Sequence, residues 1–451
     1  MNEGFSEEKR IQRLAWAMWG ILALTYLIVF FHRLSLAVVL DYLTIDLNIE
    51  DAAMAGALVA SYAILYMIMQ IPAGLLADSW GPRKTVTTGM LVACAGSVIF
   101  ALAPTLFFAF VGRCLVGLGV SVVLVSILKF QISWFKPSQF ATITGLTFLV
   151  GNLGVVLGTT PFALLVNSVG WRTSFVIIGG ITFFVTLLCW LLVRDNPGEV
   201  IPGKNKRPLS RPKEEQKEKG SKASFAELLK ALKAVIKNPR TWPLFANAFG
   251  TYGTLFAFTG TWSVSYLMQI YGLTRNASAS LIMAVPLGMI VSHPLMGFVS
   301  DRLRRRKQPM LILLSIYIAL WALLFFWNNG QPPLQALYPI FFLIGFASGS
   351  SAIILPMAKE VNEPTFSGIA LSVVNIGPFA GMAALQPLLG YILDLRWEGV
   401  IDAGAKVYPL AAYRSLLGAC LITLIIAFAF TLTIKETNCQ NIYQKKNVLK
   451  N

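Results

Sequence analysis

Three basic side chains stand inside long apolar stretches of the sequence, where a charge is energetically unfavourable. Arg33, Arg113 and Lys129 each lie within runs of mainly aliphatic and aromatic residues. A charge at membrane depth costs at least about 2.5 to 3.5 kcal/mol, so an ionisable residue in such a run is a functional candidate by default. Arg33 stands too deep to reach the membrane surface easily. We expect it to bind a solute in a central cavity or, alternatively, to form a structural ion pair.

Arg113 and Lys129 share one apolar run. About 16 residues at 100° each leave them about 160° apart around an ideal helix and about 24 Å apart along its axis. We therefore expect only one of the two to line a central cavity. Lys129 stands close to the end of the run at Trp134. Snorkelling of its ammonium group to the membrane surface and solute binding are equal alternatives.

Polar-tipped aromatic residues stand in two further apolar runs. Tyr62, Tyr66 and Gln70 recur at every fourth position, which places them on one face of a helix. They could line an aqueous cavity, or their polar groups could bond between helices. Tyr252 and Trp262 stand in a run with several glycines. That composition suits a bending gate and, equally, an ordinary packing helix.

His32 and Asp41 are the titratable neighbours of Arg33 in the first run. Histidine changes charge near neutral pH, so His32 could bind a coupling proton, with a hydrogen bond between helices as the alternative. Asp41, Glu360 and Asp394 all stand near the ends of apolar runs. Deep cations therefore outnumber deep carboxylates by three to none, which favours an anionic solute.

The composition indicates the elements that must position these residues. Apolar residues make up 56% of the 451 positions and charged residues 13%, whereas soluble domains carry about 25% charged residues. The net charge of +16 is concentrated between the apolar runs, which indicates membrane topology and not nucleic-acid binding. The five cysteines are isolated from one another in the sequence, and the chain has only two histidines. We therefore expect no disulfide framework, metal site or cofactor.

Twelve apolar runs are long enough for a helix to span the hydrocarbon core of a bilayer. Six precede and six follow a polar segment, which predicts an all-α membrane protein with twelve spans. The runs lie at approximately 15–40, 53–77, 85–103, 106–133, 139–166, 173–193, 242–270, 277–300, 309–328, 335–358, 366–393 and 413–434.

The lysines and arginines predict the orientation of these spans. Most of the 37 fall on the side of the two termini, which indicates cytoplasmic termini in a plasma membrane, the inner membrane of a bacterium. Residues 224–237 have a helical period with cations on the polar face, typical of an amphipathic helix at the membrane surface. A passive strap between the halves is favoured over a regulatory role. The predicted divisions are an N-tail (1–14), a six-helix bundle (15–193), a linker with the amphipathic helix (194–240), a second bundle (241–434) and a C-tail (435–451).

A loop pattern occurs twice in the chain. Its first copy comprises Gly74, Asp78, Gly81, Arg83 and Lys84, between the second and third runs. The second copy follows at a constant offset of 223 residues (297 − 74 and 301 − 78), with Gly297, Asp301, Arg302 and Lys307. Charges and a Gly-Pro turn cannot lie in hydrocarbon, so each copy must be a tight loop at a membrane face.

The same offset relates a second set of residues. The matching pairs are Gly145 and Gly368, Asn152 and Asn375, Gly154 and Gly377, and Gly158 and Gly381. Two independent matches at one offset indicate that the halves of the chain are copies of each other. Parallel repeats with a solute site between them form one of the known transporter architectures. Close helix packing is the alternative role of such glycines.

These residues resemble the major facilitator superfamily. The duplicated loop is similar to the family's signature between helices two and three, and Arg113 to Gly119 to its helix-four signature. The resemblance covers essentially the whole chain. It implies two pseudo-twofold-related six-helix bundles rocking about a central site, with Arg113 in proton handling or bundle packing.

The resemblance also implies a role for the duplicated loops. Asp78, Arg83 and Asp301 inherit a conformational latch that holds one state closed on the cytoplasmic side. Arg304 stands where the first copy has Gly81, so the second turn must be built differently. The alternative is that the loops only determine topology.

Residues 31–36, Phe-His-Arg-Leu-Ser-Leu, resemble the first helix of the family's anion-transporting branches, the anion:cation symporters and organophosphate exchangers. The symporters often have an Asp before the Arg, where this chain has His32. The usual proton-binding carboxylate is therefore in doubt here.

Together these observations predict a secondary transporter of a small solute, preferably an organic anion. We expect it to use a coupling proton and to act as a monomer in the lipid bilayer. A drug or metabolite exporter of the same family is the alternative, although residues 151–158 lack the Gly-Pro-x-x-Gly-Gly pattern of drug–proton antiporters. A solute sensor without flux is the hypothesis from another class. An enzyme is not expected, since no nucleophile–base pair or metal constellation stands out.

Overall fold

The structure is a computed structural model that describes residues 2–135, 140–196, 225–402 and 405–443. Within these ranges, ten helical stretches are long and apolar enough to cross a membrane. The α-helices are α1 (Asn2–Asp46), α2 (Ala52–Ile68), α3 (Gln70–Trp80), α4 (Pro82–Ala101), α5 (Leu106–Val120), α6 (Val123–Trp134), α7 (Phe140–Leu157), α8 (Thr160–Val169), α9 (Trp171–Leu192), α10 (Phe225–Lys237), α11 (Thr241–Ala257), α12 (Ser263–Tyr271), α13 (Arg275–Ile282), α14 (Ala284–Leu303), α15 (Lys307–Phe326), α16 (Leu334–Ala347), α17 (Ile354–Glu360), α18 (Ser367–Asp394) and α19 (Leu410–Leu432).

Shorter elements complete the described part of the chain. A π-helical segment, Phe258–Trp262, joins α11 to α12. The 3₁₀ segments are Trp327–Asn329, Ser348–Ile353 and Pro364–Phe366. Two short strands, β1 (Ile401–Asp402) and β2 (Ala405–Lys406), pair antiparallel between α18 and α19.

The helices confirm the predicted all-α membrane fold, but several predicted runs are broken. The second run divides at Met69 into α2 and α3. Pro72 explains this break, because a proline ring clashes with the carbonyl four residues earlier and ends the regular helix at Ile68. The seventh run contains the π-helical segment. Counted with the ten continuous stretches, these two interrupted runs, 52–80 and 241–271, make up the twelve predicted spans.

The helices pack as two groups, one before residue 194 and one after residue 240. In the first, α4 packs against α5 and α9, and α1 packs against α7. In the second, α11 packs against α18 and α19, and α14 against α16. Backbones approach closely where glycine leaves room: a Cβ at Gly117 would collide with the Tyr62 backbone, and one at Gly345 with Val285.

Contacts between the two groups run along α2 and α18, α7 and α14, and α8 and α13. We call the face that carries Asp195, Arg306 and Glu436 the terminal face, because the last described residues lie there, and the opposite face the distal face. At the distal end of α18, a Cβ on Gly390 would collide with the carbonyl group of Ala52 in α2. The two backbones are in direct contact at this point.

Polar contacts between the groups are concentrated at the distal face. The Arg275 guanidinium lies 3.3 Å from the Asp41 carboxylate, which also accepts a 3.0 Å hydrogen bond from Ser265. The Thr160 and Ser280 hydroxyls are 3.0 Å apart. The Asp394 carboxylate accepts from the Ala53 amide, at 3.1 Å, and Asn167 donates to Asn276 at 3.0 Å.

Four glycines near the terminal face have open space beside them. A Cβ added at Gly74, Gly145, Gly297 or Gly368 would meet no atom within 4 Å. These four positions are the repeat-related glycines nearest that face. The polar contacts described above join the two groups at the distal face.

Helix α10 lies against α18 on this side of the molecule. Val235 is buried with Ala370 and Val373, and Leu232 packs beside them. Lys230, Lys233 and Lys237 are exposed. The part of the predicted linker at 197–224 lies outside the described residues, as does the end of the predicted C-tail at 444–451. The predicted N-tail is helical from Asn2 onward.

Candidate functional site

The Arg33 side chain lies in a cage of aromatic rings. Its Cζ atom is 4.3 Å from the ring centroid of Phe30, 5.1 Å from Phe379, 5.4 Å from Phe256 and 5.8 Å from Tyr66. These rings come from α1, α2, α11 and α18, so both helix groups contribute. Ring faces attract cations, which stabilises the guanidinium without neutralising it. We call these five residues the arginine cage.

The buried charge of Arg33 lacks a carboxylate partner among the described residues. Only 7% of the residue is exposed, and its Nε has no hydrogen-bond partner in the described part of the chain. None of the ion pairs formed there includes Arg33. A buried cation without a counter-ion is costly, so the cage is suited to receive an anion.

The predicted stripe on the second span borders the cage. The Tyr62 and Tyr66 rings stack at 6.0 Å, and Tyr66 stacks on Phe379 at 4.1 Å. The Gln70 side-chain oxygen accepts a 3.3 Å hydrogen bond from Asn375 of α18. All three stripe residues are buried. The stripe therefore reaches from the cage along the boundary between the two helix groups.

Arg113 and His32 lie together inside the first helix group. Arg113 is 1% exposed, its Nη2 donates to the His32 carbonyl oxygen at 3.4 Å, and its Cζ lies 5.1 Å from the Tyr62 ring centroid. Both ring nitrogens of His32 lack a hydrogen-bond partner among the described residues. Tyr62 thus adjoins Arg113 as well as Arg33.

The remaining predicted solute-binding residues are spread more widely. Lys129 is half-buried in the last turns of α6, where its carbonyl oxygen accepts from Ser133. Trp262 is buried in the π-helical segment and donates to the Gln386 carbonyl oxygen at 3.3 Å. The Tyr252 hydroxyl lies 2.9 Å from Nε2 of His293, and its ring stacks on Phe256 of the arginine cage at 5.5 Å. Of the three, Tyr252 has a direct contact with the cage.

Asp41 lies at the distal face in the contacts with Arg275 and Ser265 described above. Its carboxylate joins the first helix group to the second. The proton-coupling role predicted for Asp41 stays a prediction.

The first copy of the loop pattern is held within its own helix group. Gly81 has φ +82°, a conformation that side-chain-bearing residues rarely adopt. The next helix begins there, and the Arg83 amide donates to the Asp195 carboxylate at 2.7 Å. Arg83 Nε donates to the Trp190 carbonyl oxygen at 2.9 Å. Lys84 is exposed, and the side chain of Asp78 lies outside the described part of the structure.

The second copy of the loop pattern takes part in an ion-pair cluster. Arg306 lies 2.7 Å from Asp301 and 3.0 Å from Glu360. Glu436 accepts from the backbone amides of Arg306 and Lys307, at 2.8 and 2.9 Å. We call Asp301, Arg306, Glu360 and Glu436 the terminal-face cluster.

Protonation equilibria follow from these contacts. Burial alone would lower the pKa of Arg306, but hydrogen bonds and Coulomb attraction from Glu360, with Asp301, raise it. Burial alone would raise the pKa of Glu436, but backbone hydrogen bonds lower it. Both groups are therefore held in their charged forms.

The second turn is built differently from the first, as predicted. Arg304 adopts φ +50° and ψ +34° in the left-handed helical region, whereas Gly81 adopts φ +82° and ψ +160°. Two further residues then precede the next helix, at Lys307. Arg302 is exposed and Arg306 makes the ion pairs.

Part of this site was not predicted from the residues alone. His293, Phe256 and Phe379 were not predicted, although His293 is one of only two histidines in the chain and stands in an apolar run. That position was a usable signal. Phe256 and Phe379 have no such signal, because an isolated phenylalanine in a membrane span does not stand out from its neighbours.

The fold and this site define a class: a helical membrane protein with two packed helix groups and a buried cationic site between them. The family model of the Major Facilitator Superfamily matches residues 22–377. The chain belongs to the Major Facilitator Superfamily.

Two curated relatives and one solved structure illustrate this membership. The hexuronate transporter of Bacillus subtilis is 26% identical over 81% of this chain and 85% of its own. The glycerol-3-phosphate transporter of Bacillus subtilis is 24% identical over 76% of this chain and 79% of its own. The crystal structure of a bacterial homologue of the human lysosomal transporter Spinster, inward-facing and unoccupied, has a TM-score of 0.71 at 18% identity, covering 93% of this chain and 97% of that one.

Proposed function

We propose that this protein is a secondary transporter of a small organic anion and that Arg33 binds the anionic group. The observation that carries the proposal is the buried Arg33 guanidinium, which lacks a carboxylate partner within the described residues. Guanidinium groups bind carboxylate and phosphate oxygens with paired hydrogen bonds, so either group suits the site. The names of the two Bacillus subtilis relatives, for hexuronate and glycerol 3-phosphate, agree with this class.

Transport would proceed by alternating access of the helix groups at 15–193 and 241–434. The contacts at the distal face support a state whose site is reached from the terminal face. Breaking those contacts and joining the groups at the terminal face would expose the site to the other side. The charge distribution supports a plasma-membrane location with both termini cytoplasmic, so the described state would be inward-facing.

Arginine cage residues from both groups explain how an anion could couple binding to movement. Phe30 and Tyr66 belong to the first group, whereas Phe256 and Phe379 belong to the second. An anion bound at Arg33 would change the contacts of the guanidinium with all four rings. A ligand shifts a conformational equilibrium only through such differences between states.

Uptake by reconstituted vesicles tests the proposal. We would measure uptake of radiolabelled glucuronate and glycerol 3-phosphate by the parent protein and by Arg33→Gln, Arg33→Lys and Arg33→Ala variants. Removing one partner of a buried charge pair costs about 2–5 kcal/mol, so Arg33→Gln should lower the apparent affinity about 30-fold or more. Arg33→Ala should abolish uptake. Arg33→Lys should retain part of the affinity, because lysine keeps the charge and loses the bidentate geometry.

Arg396 offers a matched control, since it is exposed near the distal end of α18. Arg396→Gln makes the same chemical change away from the arginine cage and should transport like the parent. Unchanged uptake in Arg33→Gln would remove Arg33 from the site. Saturable binding of either anion without flux would indicate a sensor instead of a transporter.

A further inference from the structure

A hydrogen-bonded histidine–tyrosine pair stands in the middle of the second helix group. The Tyr252 hydroxyl of α11 and Nε2 of His293 in α14 are 2.9 Å apart, and both residues are partly exposed. His293 lies ten residues before the end of α14 at Leu303, about 15 Å along the axis. Tyr252 lies at a similar depth from the start of α11 at Thr241. The pair is therefore at mid-membrane depth.

Aromatic contacts join this pair to the arginine cage. The Tyr252 ring stacks on Phe256, with centroids 5.5 Å apart and ring planes 5° from parallel. Phe256 in turn lies 5.4 Å from Cζ of Arg33. One continuous set of contacts thus runs from the guanidinium in the first helix group to the imidazole in the second.

The charged and titratable surroundings of His293 are few. From α11 the facing titratable group is Tyr252, beside which lie Tyr26 of α1 and Tyr317 of α15. Helices α7, α13 and α16 and the 3₁₀ segment Ser348–Ile353 also pack against α14. The charged residues at the ends of packed helices, Arg275 of α13 and Lys307 of α15, contact Asp41 and the Leu432 carbonyl oxygen respectively.

The chain offers few other groups that could take up a proton at this depth. Asp41, Glu360 and Asp394 are engaged near helix ends, with Arg275, Arg306 and Lys406 respectively. The other histidine, His32, is fully buried and lies beside Arg113. Charging His32 would place two cations next to each other in a low-dielectric interior.

We propose that His293 takes up the coupling proton and that the His293–Tyr252 pair then supplies a second contact for the substrate anion, opposite Arg33. This inference rests on the proposed transport of an organic anion. In the neutral pair, the Tyr252 hydroxyl donates to Nε2 of His293. A proton arriving from water binds Nε2, whose new N–H donates to the Tyr252 oxygen, and the hydroxyl hydrogen turns toward the anion.

This arrangement makes proton and anion binding mutually favourable. The imidazolium brings a positive charge and frees one O–H donor, and both favour an anion between His293 and Arg33. By thermodynamic linkage, the bound anion favours the protonated imidazole to the same degree. The proton is released when the anion leaves, because neither is then stabilised by the other.

The test separates proton-driven accumulation from exchange. Vesicles containing the protein would be assayed with glucuronate and glycerol 3-phosphate in two modes: accumulation driven by an imposed pH gradient, and exchange with the same anion trapped inside at equal pH. His293→Gln keeps a hydrogen-bonding side chain toward Tyr252 but does not titrate. It should lose pH-driven accumulation at least tenfold and keep exchange within about threefold of the parent.

His32→Gln tests the other histidine of the chain, and Arg396→Gln, at an exposed position, is the control that should retain both activities. The proposal is overturned if His293→Gln accumulates anion like the parent, or if His32→Gln alone loses the pH-driven mode. It is also overturned if the parent exchanges anions and ignores the pH gradient, a result that leaves the proposed transport function standing. No flux of either anion in the parent would instead contradict the proposed function itself.

A second measurement covers a His293→Gln variant that fails to fold. Anion binding to detergent-solubilised parent and Tyr252→Phe protein would be followed by tryptophan fluorescence between pH 5 and 8. The parent affinity should fall as the pH rises through this range. Removing the hydroxyl should reduce that fall at least threefold, and an unchanged pH profile in Tyr252→Phe would contradict the role given to the pair.

Discussion

The ion pair between Asp41 and Arg275 should control how much of the protein is closed at the distal face. The charged groups are 3.3 Å apart, and their side chains are only 22% and 10% exposed. Hydrogen bonds to charged groups that are shielded from water contribute about 1.5–3 kcal/mol. Asp41→Asn or Arg275→Gln should therefore shift the closed-to-open ratio about 10- to 150-fold toward the open state.

Such a shift is large enough to observe. If closed molecules outnumber open ones by about ten to one in the parent, the variants would range from equal populations to about fifteen open molecules for each closed one. The assay is the rate at which a bulky maleimide labels Ser280→Cys in a background without the native cysteines. Ser280 is partly exposed and lies 3.0 Å from Thr160 in the closed interface, so the reagent should label it faster after opening.

Asp46→Asn is the matched control for this experiment. Asp46 lies on the same helix, pairs with Arg172 at 3.6 Å and accepts from Trp171, all within the first helix group. Its substitution should leave the labelling rate unchanged. Parent-like labelling in both Asp41→Asn and Arg275→Gln would refute the closure argument. So would strictly additive effects in the double variant, because two residues that form one contact must show coupling.

Three further predictions concern other parts of the molecule. Gly390→Val should reduce transport in the vesicle assay at least tenfold with little change in folding, because any Cβ collides with the Ala52 carbonyl group and keeps the distal ends of α2 and α18 apart. Gly180→Val is the control and should transport normally, because a Cβ at Gly180 meets no atom within 4 Å. Backbone hydrogen bonds lower the pKa of Glu436, so its stabilising effect should be complete above the unfolded-state pKa of about 4.3 and be lost as the pH falls through the lower folded-state value. The melting temperatures of the parent and Glu436→Gln should therefore differ at pH 6 and converge at low pH. A difference that stays constant with pH would contradict this. Asp195→Asn should weaken the acceptor for the Arg83 amide and lower the melting temperature by a few degrees, corresponding to about 1 kcal/mol, whereas no change would show that the contact does not stabilise the loop.

Much of the fold could be predicted because membrane spans are a local property of the sequence. Each span must satisfy its own backbone hydrogen bonds in a medium without water, so run length alone indicates a helix. Predicted runs at 85–103 and 413–434 correspond to Pro82–Ala101 and Leu410–Leu432. The interruptions were missed because apolar composition does not register a π-helical segment or a proline break inside a span.

The site was only partly predictable for a related reason. Arg33 could be singled out because the cost of burying a charge is a property of that residue alone. The rings around it come from four helices, and which helices meet is decided by packing between distant parts of the chain. His293 was missed although its type and depth were visible, because its significance lies in the contact with Tyr252 and, through Phe256, with Arg33.

Four glycines near the terminal face would lower the entropy cost of any approach between the helix groups there. Gly74, Gly145, Gly297 and Gly368 carry no side chains that would have to be immobilised when helices meet. Ordering a long side chain costs up to about 2 kcal/mol of entropy, whereas ordering glycine adds no side-chain cost at all. In the proposed alternating access, docking of the helix groups at these points would therefore need little compensating attraction.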